Sequence, residues 1–254
     1  MTSDDITIHR GLTGVYFDRS ATTFIDGKNG VLEYRGYNIN QLAEHSTFEE
    51  TGYLLIHGKL PTQAELNDFD AELKAARELP EQVFDVLELV KDSHPMDALR
   101  TAVSALASFD EDRNDNSPEA TIRKGNRLTS QVPSIVMAHH NIRQGKDPIK
   151  PSTVLNHAGN FLYMLNGDEP SAATAELMDK DFVLHADHGS NASAFTARVV
   201  AGTAADIHGA VTAGIAALSG PSHGGAAENV MQMAKEIGKP ENAADYVKNL
   251  LSNR

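Results

Sequence analysis

Two short stretches of this chain concentrate side chains able to do chemistry. The first, Leu218-Ser-Gly-Pro-Ser-His-Gly-Gly-Ala-Ala-Glu228, sets His223 in a Gly-Pro break and follows it with two glycines and a helix-like run. A histidine just ahead of a helix meets the positive end of the helix dipole, which disfavours imidazolium. A neutral imidazole there can donate a hydrogen bond to a carbonyl that becomes an enol or enolate. An exposed loop histidine fits the same position, and position alone leaves both readings open. The run lacks the Gly-Lys-Ser/Thr ending of a phosphate-binding loop.

The second stretch, Leu184-His-Ala-Asp-His-Gly-Ser-Asn-Ala-Ser193, places His185, Asp187, His188, Asn191 and Ser193 at the junction of two predicted helices. His and Asp are ligands for zinc or divalent iron, although only two or three are available locally and no His-Glu-x-x-His pattern occurs. Burial for packing alone would cost about 1–3 kcal/mol for each unsatisfied polar group. A polar pocket for an anionic, oxygen-rich substrate suits the same residue types. Pocket, metal site and structural cluster all stay open on these residues alone. His94, before Pro95 and Met96, reads as a tight helix entry, and the remaining histidines have no legible chemical neighbourhood.

The elements that must carry these stretches are mostly helical. Val15-Tyr-Phe and Val31-Leu-Glu-Tyr flank Asp26-Gly and Asn29-Gly turn signals, which predicts a small N-terminal β-hairpin. Thr47-Phe-Glu-Glu and Thr62-Gln-Ala-Glu are capping boxes. Val83, Val86, Leu87 and Val90 form one apolar stripe; Met96, Leu99, Val103 and Leu106 form the next. Ser117-Pro118 opens a helix expected to run to about Arg143, bent or interrupted at Pro133. Further helices are predicted near 152–165, 171–187, 191–204, 207–219, 224–237 and 241–253. Those at 191–219 are rich in Ala, Gly, Ser and Thr, which suits close backbone approach at an interhelical or subunit interface.

Bulk properties exclude several classes. A net charge of −13 disfavours binding to nucleic acid or an anionic membrane. The sequence holds no Cys, so neither disulfides nor thiolate chemistry is available. The N-terminal residues have neither a basic region nor an apolar run, and no stretch is long enough to span a bilayer. These features predict a cytoplasmic protein.

Six blocks, taken together, resemble the citrate synthase family, in particular its shorter archaeal and bacterial type. They are Phe24-Ile-Asp-Gly27 with Leu32-Glu-Tyr-Arg-Gly-Tyr37, Tyr53-Leu-Leu-Ile-His-Gly-Lys-Leu-Pro61, His94-Pro-Met-Asp-Ala-Leu-Arg100, Asn160-Phe-Leu-Tyr-Met-Leu165, His185-Ala-Asp-His188 and Gly220-Pro-Ser-His-Gly-Gly225. The resemblance runs from about residue 11 to the end. It implies a mostly α fold, with residues 1–221 in a large helical domain and 222–254 beginning a small CoA-binding domain. It also implies a homodimer, oxaloacetate and acetyl-CoA as substrates, and no metal or other cofactor. His223 would hydrogen-bond the thioester oxygen of acetyl-CoA, while His188, with Asn191 and Ser193, would hold oxaloacetate.

The resemblance has limits. Family members continue with a Gly-x-Gly-His-Arg-type loop, a catalytic aspartate and carboxylate-binding arginines, and nothing after Gly225 supplies them. Ser222 stands where the family usually has a bulky apolar residue. A general base contributes about 10²–10⁴-fold. The expectation is therefore a C-terminally truncated citrate synthase, inactive or nearly so alone. Alternatives are a 2-methylcitrate synthase and a non-catalytic carboxylate-binding or dimerising paralogue.

Overall fold

The computed structural model describes Gly14, Val15 and residues 18–252. Its N-terminal part is a three-stranded antiparallel sheet in the order β1 (Thr23–Asp26), β2 (Val31–Tyr34), β3 (Tyr37–Asn38). Asp26 pairs with Val31, so the hairpin closes through Gly27–Gly30, where Gly30 takes a left-handed φ of 66°. The expected turn forms, but its first strand is Thr23–Asp26. Val15 lies outside any strand, and Tyr16 and Phe17 fall outside the described residues. The strand abuts the turn because hairpin register is set by the loop that closes it.

Helices make up the rest. The first six are α1 (Ile39–His45), α2 (Phe48–His57), α3 (Gln63–Ala75), α4 (Glu81–Leu89), α5 (Pro95–Leu106) and α6 (Pro118–Ile142). There follow α7 (His157–Asn166), α8 (Ala172–His185), α9 (Ala192–Ala201), α10 (Ile207–Leu218), α11 (Gly225–Ile237) and α12 (Ala243–Ser252). Both capping boxes form: Thr47 and Thr62 accept the N–H of Glu50 and Glu65, whose carboxylates return to the cap N–H. Ser117 caps α6 with Pro118 in the first turn, and the helix continues through Pro133 with one main-chain donor missing there. α7 begins five residues later than the sequence suggests, because Asn156 caps it and residues 152–155 are held as a turn by Arg77.

The core has two principal parts. Val83 and Leu87 of α4, Val103 and Leu106 of α5, Leu128 and Ile135 of α6 and Ile215 of α10 form one. Tyr34 of β2, Leu42 of α1, Leu54 of α2 and Val183 of α8 form the other, under the sheet. Each such side chain contributes about 1.5–3 kcal/mol on burial, so truncating Ile135 to Ala costs about 2–5 kcal/mol. The small residues of α9 and α10 pack those helices against each other. A Cβ on Gly214 would lie 3.3 Å from the Ser193 carbonyl oxygen, so its absence lets α10 touch α9 beside Ser193. Among the described residues, no helix is long and apolar enough to cross a membrane.

Candidate functional site

The loop after α10 is a compact turn. His223 N–H donates to Gly220 O at 3.0 Å, Gly225 N–H to the same oxygen at 3.1 Å, and Ala226 N–H to His223 O at 3.1 Å. Two glycines are needed for it. A Cβ on Gly224 would lie 2.5 Å from Leu218 O, and one on Gly225 would lie 2.9 Å from Gly220 O. His223 thus sits immediately ahead of Gly224, the N-cap of α11, as its position in the sequence suggests.

The second stretch meets it through Ser193. Asn191 caps α9, its Oδ1 accepting the Ala194 N–H at 2.9 Å and the Ser193 hydroxyl at 2.7 Å. Ser193 Oγ lies 3.0 Å from His223 Nε2. A serine hydroxyl has one proton; with that hydroxyl donating to Asn191 Oδ1, Nε2 of His223 is the donor to Ser193. Asn191, Ser193 and His223 therefore form one hydrogen-bonded chain between the start of α9 and the loop after α10.

The other residues of the second stretch diverge. His185 Nδ1 is 2.8 Å from Asp181 O, back along α8. The Asp187 carboxylate accepts from Thr23 Oγ1 of β1, and its N–H donates to the Tyr34 hydroxyl at 3.2 Å. Tyr34 in turn donates to Leu184 O at 3.1 Å, and burial pushes its phenol above the ordinary range, so it stays protonated. His188 is exposed and, among the described residues, makes no hydrogen bond or ion pair. Gly189 beside it has a φ of 67° and packs against Ile25. With His185 and Asp187 each turned to its own partner, no group of three or more His, Asp or Glu side chains among the described residues is placed to hold a metal ion.

His94 takes the structural role read for it. Its Nδ1 accepts the Met96 N–H at 3.2 Å to cap α5, and its Nε2 faces Glu228 of α11 at 3.3 Å. A cavity of about 700 Å³ opens beside this contact, lined by His94, Met96, Arg143, Leu218, Gly224 and Glu228. Thr23, Tyr34 and Glu228 were not singled out from sequence. Each acts across more than 130 residues, a separation that local spacing does not report.

Two histidine-bearing loops of one helical body are thus joined through one serine. The chain belongs to the citrate synthase family: residues 11–254 match the family model for the citrate synthase C-terminal domain. It is 46% identical over 248 residues to a citrate synthase of Deinococcus radiodurans, covering 97% of this chain and 66% of that protein. A 2-methylcitrate synthase of Mycobacterium tuberculosis is 40% identical over 248 residues, covering 97% of this chain and 63% of that one. The crystal structure of citrate synthase from Pyrobaculum aerophilum superposes with a TM-score of 0.89 at 40% identity, covering 93% of this chain and 61% of that one. The chain thus spans slightly less than two thirds of these relatives' length.

Proposed function

We propose that this chain carries the enolising and oxaloacetate-binding part of a citrate synthase, which condenses acetyl-CoA with oxaloacetate and releases citrate and CoA. The observation that carries the reading is the 3.0 Å contact between Ser193 Oγ and His223 Nε2. It joins the two stretches that hold the candidate catalytic and substrate-binding residues. His223 hydrogen-bonds the thioester oxygen while the methyl proton passes to an aspartate of the family's type, which nothing after Gly225 supplies; the enol carbon then bonds to the ketone carbon of oxaloacetate, whose oxygen takes up a proton. Water cleaves the resulting citryl thioester. Ser193 sets which ring nitrogen of His223 is protonated: turning its hydroxyl from Asn191 to Nε2 leaves the ring proton on Nδ1, free to donate to substrate. His188, exposed and unpaired among the described residues, takes a carboxylate of oxaloacetate, with Asn191 and Ser193 beside it.

The reading includes a cytoplasmic homodimer with no metal or other cofactor, and a boundary near residue 221 between the large domain and the start of the small one. The relative named 2-methylcitrate synthase supports a second reading, in which propionyl-CoA replaces acetyl-CoA. The 254 residues contain no Gly-His-Arg run, so turnover by this stretch alone is expected to be low.

Calorimetric titration with oxaloacetate tests the reading. Saturable binding that His188→Ala weakens is expected; a chain that ignores oxaloacetate, or a His188→Ala variant that binds it equally well, removes the proposal. Sustained oxaloacetate-dependent CoA release that His223→Ala abolishes would overturn the expectation of low turnover.

A further inference from the structure

His188 is the least restrained side chain of the candidate site, yet the backbone on both sides of it is fixed from outside the loop. Asp187, just before it, is held twice by the N-terminal sheet. Thr23 Oγ1 donates to its carboxylate, and the Tyr34 hydroxyl accepts its N–H at 3.2 Å. The same hydroxyl donates to Leu184 O at 3.1 Å, clasping the last turn of α8 to the start of the loop. Tyr34 is fully buried, so its hydroxyl has no water to exchange for these partners. Gly189, just after, lies in the left-handed region against Ile25 of β1. Asn191 then anchors the far end of the loop to α9.

We propose that Thr23 and Tyr34 are positioning residues for His188, holding Asp187 so that the imidazole is presented to a carboxylate of the bound keto acid. This rests on the reading of His188 as an oxaloacetate-binding residue. A ligand-binding side chain gains affinity when its backbone is ordered beforehand, because binding no longer has to order it. The sheet is thereby a functional part of the site, although none of its own residues is needed to touch the ligand.

The test is a set of oxaloacetate titrations on the 254-residue chain, with thermal melts recorded in parallel. Thr23→Val removes the hydroxyl while keeping the shape, Thr23→Ser restores it, and Tyr34→Phe removes the clasp. Thr23→Val and Tyr34→Phe should each raise Kd about three- to tenfold, and Thr23→Ser should stay within about twofold of wild type. In a His188→Ala background, Tyr34→Phe should raise Kd no further, because the group it positions is gone. A merely structural role would lower the melting temperature and leave this coupling absent. If His188→Ala weakens binding but Thr23→Val and Tyr34→Phe do not, the positioning role fails and the reading of His188 stands. If Tyr34→Phe costs as much without His188 as with it, the positioning role also fails. If His188→Ala binds as wild type, or the wild type does not bind, the reading of the site falls and this inference falls with it.

Discussion

Ser193 and His223 stand thirty residues apart in the chain and are joined by a 3.0 Å contact between hydroxyl and imidazole. The contact is a consequence of helix packing. Gly214 lets α10 approach the backbone of α9 at Ser193, and the turn at Gly220–Gly225 then folds His223 back to it. Ser193 has two possible recipients for its single proton, Asn191 Oδ1 and His223 Nε2, and that choice decides which nitrogen of His223 can donate.

Ser193→Ala should therefore act on the tautomer of His223 more than on the fold. Asn191 still caps α9 through the Ala194 N–H, so the stability loss should be about 1 kcal/mol or less. Imidazole nitrogen chemical shifts measured by NMR should show Nε2 of His223 protonated in the wild type and a mixture of tautomers in the variant. Unchanged shifts would remove Ser193 from control of the ring.

The turn around His223 should be intolerant of side chains. Gly224→Ala puts a methyl group 2.5 Å from Leu218 O and 2.6 Å from Leu218 Cδ1, so backbone must move, at a cost of about 1–3 kcal/mol. Gly27 is the control: a Cβ there meets nothing within 4 Å, and Gly27→Ala should be neutral or stabilising by up to about 1 kcal/mol. Denaturant titration should separate the two, and hydrogen exchange should locate the Gly224→Ala loss at the start of α11. Equal effects at both positions would refute the close approach.

What the sequence exposes is whatever is decided within a turn or two of chain. The capping boxes at Thr47 and Thr62 and the Ser117-Pro118 start are local hydrogen-bonding patterns, and all three form. His223, Asn191 and Ser193 stand out by local composition, and the structure brings these three together. Local pattern starts α7 five residues early because Arg77, far upstream, holds residues 152–155 by donating to the Ser152 and Leu155 carbonyls. The clasp of Tyr34 on Leu184 and Asp187 was silent for the same reason: its partners lie 150 and 153 residues away.

Arg127 offers a test of the large core cluster's polar border. Its guanidinium donates to Asp110 at 2.7 and 2.9 Å and to Asp112 at 2.8 Å, and Asp110 is buried. His208 is also buried, 3.5 Å from Asp110, and burial lowers its pKa. Arg127→Ala leaves a buried carboxylate without its cation and should cost about 3–5 kcal/mol in urea titration at neutral pH. Lys248→Ala, which removes an exposed partner of Asp245, should change nothing measurable. A loss below about 1 kcal/mol for Arg127→Ala would show that water reaches Asp110.

Phe48 links two buried groups whose titrations oppose each other. Its N–H donates to the Asp179 carboxylate at 3.2 Å, and its ring stacks on His157 at a centroid distance of 4.4 Å. Burial, with the nearby Glu49 charge, raises Asp179 from 3.8 to about 6. Burial, with the Arg77 charge, lowers His157 from 6.5 to about 4. For Asp179 the folded state holds the extra proton, so its contribution to stability is present below about pH 4 and is lost as pH rises through 6. For His157 the unfolded state takes the proton first, so its contribution is present above about 6.5 and is lost as pH falls through 4. Each amounts to roughly 2–3 kcal/mol across its window, and between pH 4 and 6 the two slopes largely cancel. Asp179→Asn keeps an acceptor for Phe48 and removes one slope, so stability should then fall steadily as pH drops from 6.5 to 4. His157→Gln should do the reverse, with stability falling as pH rises from 4 to 6. Urea midpoints across that range check both variants, and parallel pH profiles for the wild type and the two variants would show that neither group titrates as its surroundings require.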